Sequence, residues 1–385
     1  MKVENSRMIY RGSDELARVY RGTTIVWEPG SGDSFETQYL TLEAAGMPSP
    51  IDGEMIYGGD LYWKHEVFNS YSAETGYTIE VSKDSGSTWA EYVSTASSRG
   101  TLIGTMQQGD KWLFRGWNRS YRRTHEEWFA GEVTDSHAFL SGYAVFNAYG
   151  NMGSMKDGWQ VLNPDYSSLN TGPGDFYGFF SGTYIISAEN LVLPQPRDSS
   201  APSKRYSGCR QGMFANCVYL KYPPKVLTAT DVQKSGYESM FSNCHSLVRF
   251  PNILATSVSE RGMAFMFRGC DSVQGPAPVL RGEPSFSRAY MGMFLGCSGI
   301  TEAPLVQVRV SDGYVPDEAF SNMFEGCTNL SYVKCLARRF GNIDPTYYWL
   351  SDVSPTGTFV KHPDMEDWET GPSGIPSGWT IVDAT

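Results

Sequence analysis

A short phrase ending in Met-Phe-x-Gly/Asn-Cys returns six times in the second half of this chain, and a return of this kind calls for a stack of similar coils. Anchored on its second aromatic, the phrase falls at Phe180, Phe214, Phe241, Phe267, Phe294 and Phe324, at intervals of 34, 27, 26, 27 and 30 residues. A period in this range marks a solenoid, whose units bury their apolar faces against one another because none can do so alone. Neighbouring columns align as well. Before the anchor stand Phe179, Met213, Met240, Met266, Met293 and Met323; two after it come Gly182, Asn216, Asn243, Gly269, Gly296 and Gly326. Three after it stand Thr183, Cys217, Cys244, Cys270, Cys297 and Cys327, and six after it Ile186, Leu220, Leu247, Val273, Ile300 and Leu330.

Four before the anchor the column reads Phe176, Arg210, Tyr237, Met263, Tyr290 and Phe320. Large apolar residues at i, i+3 and i+4 predict one face of a short helix in each coil, with Arg210 as the exception. The Gly/Asn column predicts the helix stop, since these residues enter the left-handed region at least cost. The apolar residue four further on is expected to open a short strand. Pro224, Pro251 and Pro304 then forbid helix continuation, and polar stretches such as 255–261 and 309–318 read as the return to the next coil.

Five of the seven cysteines share one column, with the spacing of the repeat and not of a zinc site. Stacked in a solenoid they are expected to form a buried ladder of small hydrophobes, as is the Met-Phe column. The odd count and Thr183 in the first copy argue against disulfides along the ladder, while the state of Cys209 and Cys335 stays open.

The remainder of the chain has a different grammar. Ile9-Tyr10-Arg11-Gly12 recurs as Val19-Tyr20-Arg21-Gly22 ahead of Thr23 to Trp27, which predicts a small strand-turn-strand element too short for a core of its own. Glu28 to Glu36, rich in Gly, Ser and Asp, reads as a linker. From Thr37 to Gly150, period-two segments at 39–43, 77–81, 89–93, 101–106, 111–116 and 138–148 predict a two-sheet sandwich of immunoglobulin-like type. Asp84-Ser85-Gly86-Ser87 and Gln108-Gly109-Asp110 mark turns in it, and Trp159 to Pro173 reads as an irregular junction or first cap. The expected division is 1–35, a β element and linker; 36–158, the sandwich; 159–337, the solenoid; and 338–385, a cap. The fold class is thus mainly β with an α/β solenoid.

Acidic residues outnumber basic ones 42 to 31, and a net charge of -11 disfavours nucleic acid as a general partner. No apolar run is long enough to insert in a bilayer. Met1 to Arg11 lacks the apolar core of a secretory signal, so export by lysis or virion assembly is the expectation. No Ser/His/Asp order, zinc spacing or phosphate loop stands out, and no cofactor is implied.

The residues Tyr77 to Ser82, Gly86 to Trp89 and Gly109-Asp110-Lys111, followed by Met-Phe-x-Gly-Cys-x-x-Leu coils, resemble the BspA-like leucine-rich-repeat surface proteins of gut Bacteroidales and their phages. The tail agrees, with Val333 to Ala337, Trp349-Leu350-Ser351, Gly357-Thr358-Phe359 and Ile375 to Trp379 similar to that family's closing segment. The Tyr-Arg-Gly and Val-Trp-Glu opening is similar to the leader of phage structural proteins from those hosts. The regular Pro-Ala-Thr-Thr-Leu connection of family coils has drifted here to Leu254 to Val258.

The resemblance implies surface attachment and, in its phage form, a virion fibre or decoration that touches the host envelope. Tyr10, Arg11, Tyr20, Arg21 and Trp27 would then dock to other virion proteins, the part being a homo-oligomer as fibres are. The ligand would be a host cell-surface glycan or protein. Trp117, Tyr121, Arg122 and Arg123, in a stretch bounded by Trp112 and Trp128, join aromatic and basic groups able to stack on sugars and pair with anionic glycans. They read equally as core tryptophans beside a solvated turn. His245, Arg249 and Arg268 flank coils, as ligand contacts or as plain surface. Alternatives are a secreted bacterial adhesin, a decoration without a ligand, and a tail-associated depolymerase using Asp364, Glu366, Asp367 and Glu369. Carboxylates this close in sequence also read as a solvated acidic patch.

Overall fold

The structure is a computed structural model describing residues 6–11, 15–21, 24–27, 39–49, 53–68, 76–118, 121–127, 131–157, 176–194, 209–284, 286–306, 314–340, 344–365 and 368–385. The repeated Tyr-Arg segments form an antiparallel meander of β1 (Ser6–Arg11), β2 (Glu15–Arg21) and β3 (Thr24–Trp27). The Glu28 to Glu36 linker and the Trp159 to Pro173 junction lie outside the described residues.

Alternation then yields β4 (Leu40–Ala44), β5 (Gly46–Pro48), β6 (Met55–Tyr57), β7 (Gly59–Val67), β8 (Thr78–Ser82), β9 (Ala90–Val93) and β10 (Thr101–Met106). After them come β11 (Lys111–Gly116), β12 (Arg122–Glu127), β13 (Gly131–Gly142), β14 (Val145–Asn151) and one helical turn, α1 (Ser154–Asp157). The first coil adds β15 (Tyr184–Ser187) and β16 (Leu191–Val192). One sheet has the order β10-β7-β13-β12; the other runs β15-β14-β4-β11-β8-β9, with β16 also on β14, and β5 and β6 form a separate hairpin. Leu61 and Trp63 of β7 and Leu140 of β13 meet Leu40, Leu42, Ile79, Val81 and Phe114 of the second sheet in one core, as inward positions of period two require. β7 is a strand that the sequence reading passed over, although Leu61, Trp63 and His65 alternate inward along it.

No break separates this unit from the coils. β14 pairs antiparallel with β4 on one edge and parallel with β15 on the other. Trp63 packs 5.8 Å from Phe179, and Phe146 6.4 Å from Phe180. The core is continuous from Leu40 to Trp379.

The C-terminal part is a β-solenoid, and its coils correct one expectation. The segment up to each Cys is a chain of turns and not a helix. In the third copy the N–H groups of Glu238, Met240, Ser242 and Cys244 donate to the carbonyl three residues back. Those of Ser235, Tyr237, Ser239, Phe241 and Asn243 donate to Glu260, Gly262, Ala264, Met266 and Arg268 of the next coil. A helix would consume every N–H within its own segment. Here alternate donors leave the coil, so the stack is joined through its backbone. The bend that permits this is a left-handed residue at every fourth position: Ser235, Ser239, Asn243; Arg261, Phe265, Gly269; Arg288, Gly292, Gly296; and Glu318, Asn322, Gly326, with φ between 53° and 75°. The Gly/Asn column is left-handed as expected, but as one member of this series. Gly292 is additionally obligatory, because a Cβ there would lie 2.4 Å from the Phe265 ring.

Apolar residues at i, i+3 and i+4 still face inward. The anchors stack face to face from Phe180 to Phe324 with centroids 5.3–5.7 Å apart and planes within 15°. Trp349 follows Phe324 at 6.4 Å, and the segment after residue 337 carries the stack onward. The column six after the anchor is buried at Leu220, Leu247, Val273, Ile300 and Leu330. Of these, Ile300 alone begins a strand; Val273 and Leu330 stand two residues before theirs, and Leu220 and Leu247 six and five. Gly275–Pro276, Ile300–Glu302, Tyr332–Cys335, Gly357–Lys361 and Trp379–Asp383 form one parallel sheet along the later coils.

Candidate functional site

The most repeated residues are the least accessible. The Met, Phe and Cys of the phrase are fully buried in every copy. All seven cysteines are free, including Cys209 and Cys335. The thiols of Cys217, Cys244, Cys270, Cys297 and Cys327 donate to the anchor carbonyls of the preceding coil, Phe180, Phe214, Phe241, Phe267 and Phe294, over 2.9–3.2 Å. Thr183 supplies a hydroxyl to Phe180 O at 2.8 Å where the first coil has no cysteine. Burial pushes the Cys217, Cys297 and Cys335 thiols up to about 12, and those of Cys244, Cys270 and Cys327 well above their ordinary value. Recognition therefore has to come from what the columns leave outside.

Of the sequence candidates, Trp117 is exposed, at 49%. Its indole N–H reaches Glu80 Oε2 at 3.4 Å, the same oxygen that takes Arg115 Nε at 2.7 Å. The Arg115 guanidinium lies 3.9 Å over the Trp89 ring, which packs 5.2 Å from Tyr39. The hydrogen bond from Arg115 is the main cause of the lowered Glu80 carboxyl. Trp89 is placed by the β8–β9 turn, where the Thr88 hydroxyl, the Thr88 N–H and the Ser82 hydroxyl hold Asp84 down to about 2. Ser85 and Gly86 are left-handed there, as the hairpin signal requires.

Tyr121 corrects the ligand-contact expectation. It is fully buried, donates its hydroxyl to Met155 O, and packs against Trp63 and Phe179 at 5.6 Å each. Its large apolar ring belongs to the joint between the two-sheet unit and the first coil. Trp112 is likewise core, while Trp128 lies outside the described residues. Arg122 and Arg123 open strand β12 and are not a turn; their side chains lie outside the described part, as do those of Tyr10, Arg11, Tyr20, Arg21 and Trp27.

His245 Nδ1 sits 3.3 Å from Asp271 Oδ2 of the next coil, and Arg249 pairs with Glu189 Oε1 at 3.0 Å. Arg268 is exposed on the turn that follows the anchor Phe267. His245 and Arg249 lie four residues apart on the third coil and Arg268 on the fourth, and each has a local setting. Asp364 is exposed 3.6 Å from His362, and Glu366 and Asp367 lie outside the described residues. Among the described residues no group of His, Cys, Asp and Glu is arranged to hold a metal ion, and no helix is long and apolar enough to cross a membrane.

The sequence reading missed a row of three tyrosines. Tyr143, in the β13–β14 turn, packs edge-to-face on Tyr184 at 5.7 Å and 72°; Tyr184 does the same on Tyr219 of the second coil at 5.0 Å and 64°. Partial burial, then the neighbouring phenols Tyr219 and Tyr143, raise the Tyr184 hydroxyl. Tyr184 and Tyr219 each immediately precede a buried apolar residue, Ile185 and Leu220. That alignment was readable once the first coil was shifted by one residue, but Tyr143 stands outside the repeat.

Fold and surface together describe a mainly β protein whose last part is a solenoid of stacked turns, with a row of one exposed and two half-buried tyrosines at its start. No protein-family model, no curated protein and no solved structure matches this chain.

Proposed function

We propose that the chain is a structural protein of a bacteriophage particle, a fibre or decoration, that presents its solenoid for attachment to the bacterial surface. In this reading the two-sheet unit is immunoglobulin-like and serves as spacer or second recognition module. The coils are BspA-like leucine-rich repeats, and the β1–β3 meander docks to other virion proteins of an oligomeric assembly. The observation that carries the reading is the division of labour between the buried repeat and the exposed segments outside it. Met, Phe and Cys are spent on the interior, while exposed aromatics such as Trp117 and Tyr143 stand on segments that do not repeat. Fixed cores with variable outer segments are how scaffolds carry recognition.

Competition with phage adsorption tests this directly. Purified chain is expected to reduce adsorption of the particle to its host in a saturable way. Undiminished adsorption at saturating protein would leave a decoration without a ligand. Release of oligosaccharide from host capsule would instead establish the depolymerase alternative. Deleting residues 1–30 is expected to prevent incorporation into particles.

A further inference from the structure

The tyrosine row is not something the solenoid needs. In the later coils the place of Tyr184 and Tyr219 is taken by Ser246, Ser272, Gly299 and Asn329, and these coils stack equally well. In this column large phenols are therefore confined to the first two coils, where the two-sheet unit adds a third. Tyr143 is 71% exposed, yet its backbone is held: its N–H and that of Ala144 both donate to Asp60 O at 3.1 Å. The following strand is in parallel register with the first coil, Val145 beside Tyr184. Three rings from segments far apart in sequence are thus fixed at measured spacings on one surface.

Resting on the attachment reading above, we propose that Tyr143, Tyr184 and Tyr219 bind a neutral, twisted glycan of unsubstituted pyranose units. The C–H face of a sugar ring packs on an aromatic face, and the phenol tip is free to hydrogen-bond its hydroxyls. Centroid steps of 5.7 and 5.0 Å are about the length of one sugar unit, and successive planes turned by 72° and 64° suit a chain that twists from unit to unit and not a flat ribbon. Beyond Tyr219 the same column continues as Ser246 and Ser272, with Gln274 beside it, so a longer chain would meet hydroxyl and amide groups.

Charge selects the neutral class. The chain carries a net charge of -11. The nearby cations Lys225 and Arg249 both lie against Glu189, at 4.0 and 3.0 Å, and the exposed Lys221 by itself is no anion site. An anionic glycan would meet repulsion without a cluster to offset it.

The test is affinity electrophoresis of the full chain through gels containing a neutral β-glucan, a mannan or a xylan, and separately alginate as the anionic probe. Retardation by at least one neutral polymer is expected. Tyr143→Ala and Tyr219→Ala should each weaken it roughly three- to tenfold, the scale of one aromatic contact. Tyr184→Phe should retain most of it, because the face remains. Tyr347→Ala, an exposed tyrosine at the far end of the solenoid, should change nothing. Circular dichroism checks that each variant is folded; Tyr143→Ala removes an exposed ring and keeps the test alive if Tyr219→Ala does not fold. No retardation by any neutral polymer, retardation by alginate alone, or an equal loss in Tyr347→Ala overturns the assignment. If competition with adsorption persists in that event, attachment stands and only the glycan site falls; if competition also fails, the attachment reading goes with it.

Discussion

Raising pH should unfold this protein through its cysteine ladder. A thiol in the unfolded chain titrates near 9.0, whereas Cys217, Cys297 and Cys335 in the folded state are pushed up to about 12 by burial. A folded value above the unfolded one contributes stability that is fully present below pH 9 and is lost as pH rises toward 12, because the unfolded state releases its protons first. At pH 10 each such thiol favours unfolding by roughly 1 kcal/mol relative to neutral pH, so the three together remove on the order of a few kcal/mol. That is a large part of the few to fifteen kcal/mol typical of a domain. The double variant Cys217→Ser, Cys297→Ser is the sharp probe, since a serine hydroxyl can still donate to the anchor carbonyl and does not titrate in this range. Urea midpoints at pH 8 and pH 10 should show the wild type losing roughly 2–3 kcal/mol more than the double variant over that interval. Equal losses would refute the argument, since they would place the alkaline transition on tyrosines or lysines.

Native protein should leave all seven buried thiols unreactive toward a bulky disulfide reagent at pH 8, and denaturant should expose all seven to titration. Gly296→Ala should lower stability by about 1–2 kcal/mol in urea melts, because φ is 75° there while the nearest atom to a new Cβ is 3.9 Å away, so the cost is backbone and not packing. Gly296→Asn should cost less, as Asn216 and Asn243 already occupy that column. Arg261→Ala should cost about 2 kcal/mol, since it strands the nearly buried Glu238, and Arg288→Ala under about 1 kcal/mol, since Glu318 is partly solvated. Equal costs in the same melts would contradict the burial argument.

Much of the fold was legible because periodicity reports a side chain's direction directly. β10 and β11 fall at the expected residues, 101–106 and 111–116. The expected 138–148 segment is two strands, β13 and β14, divided by the Tyr143 turn. The helix expectation failed for a reason that periodicity does not contain. Phe241 and its neighbours at i-1 and i-4 face inward in a helix and in a series of four-residue turns alike, and only the destination of the backbone N–H groups tells them apart. Tyr121 was misjudged because composition cannot say whether a ring beside two arginines points to solvent or into the joint beneath Phe179.

By itself the sequence determined the stack. Phe every 26 to 34 residues with Cys three beyond it specifies parallel ladders of rings and thiols, and a left-handed Gly or Asn between them, because each residue type suits one environment. Only the tertiary structure decided how the coils join and what they display. Alternate N–H groups choose their acceptors on a neighbouring coil, the two-sheet unit shares its β14 edge with β15, and Tyr143 reaches Tyr184 from a turn about forty residues away. Such long-range pairings are set by which surfaces meet, and meeting is a property of the folded chain.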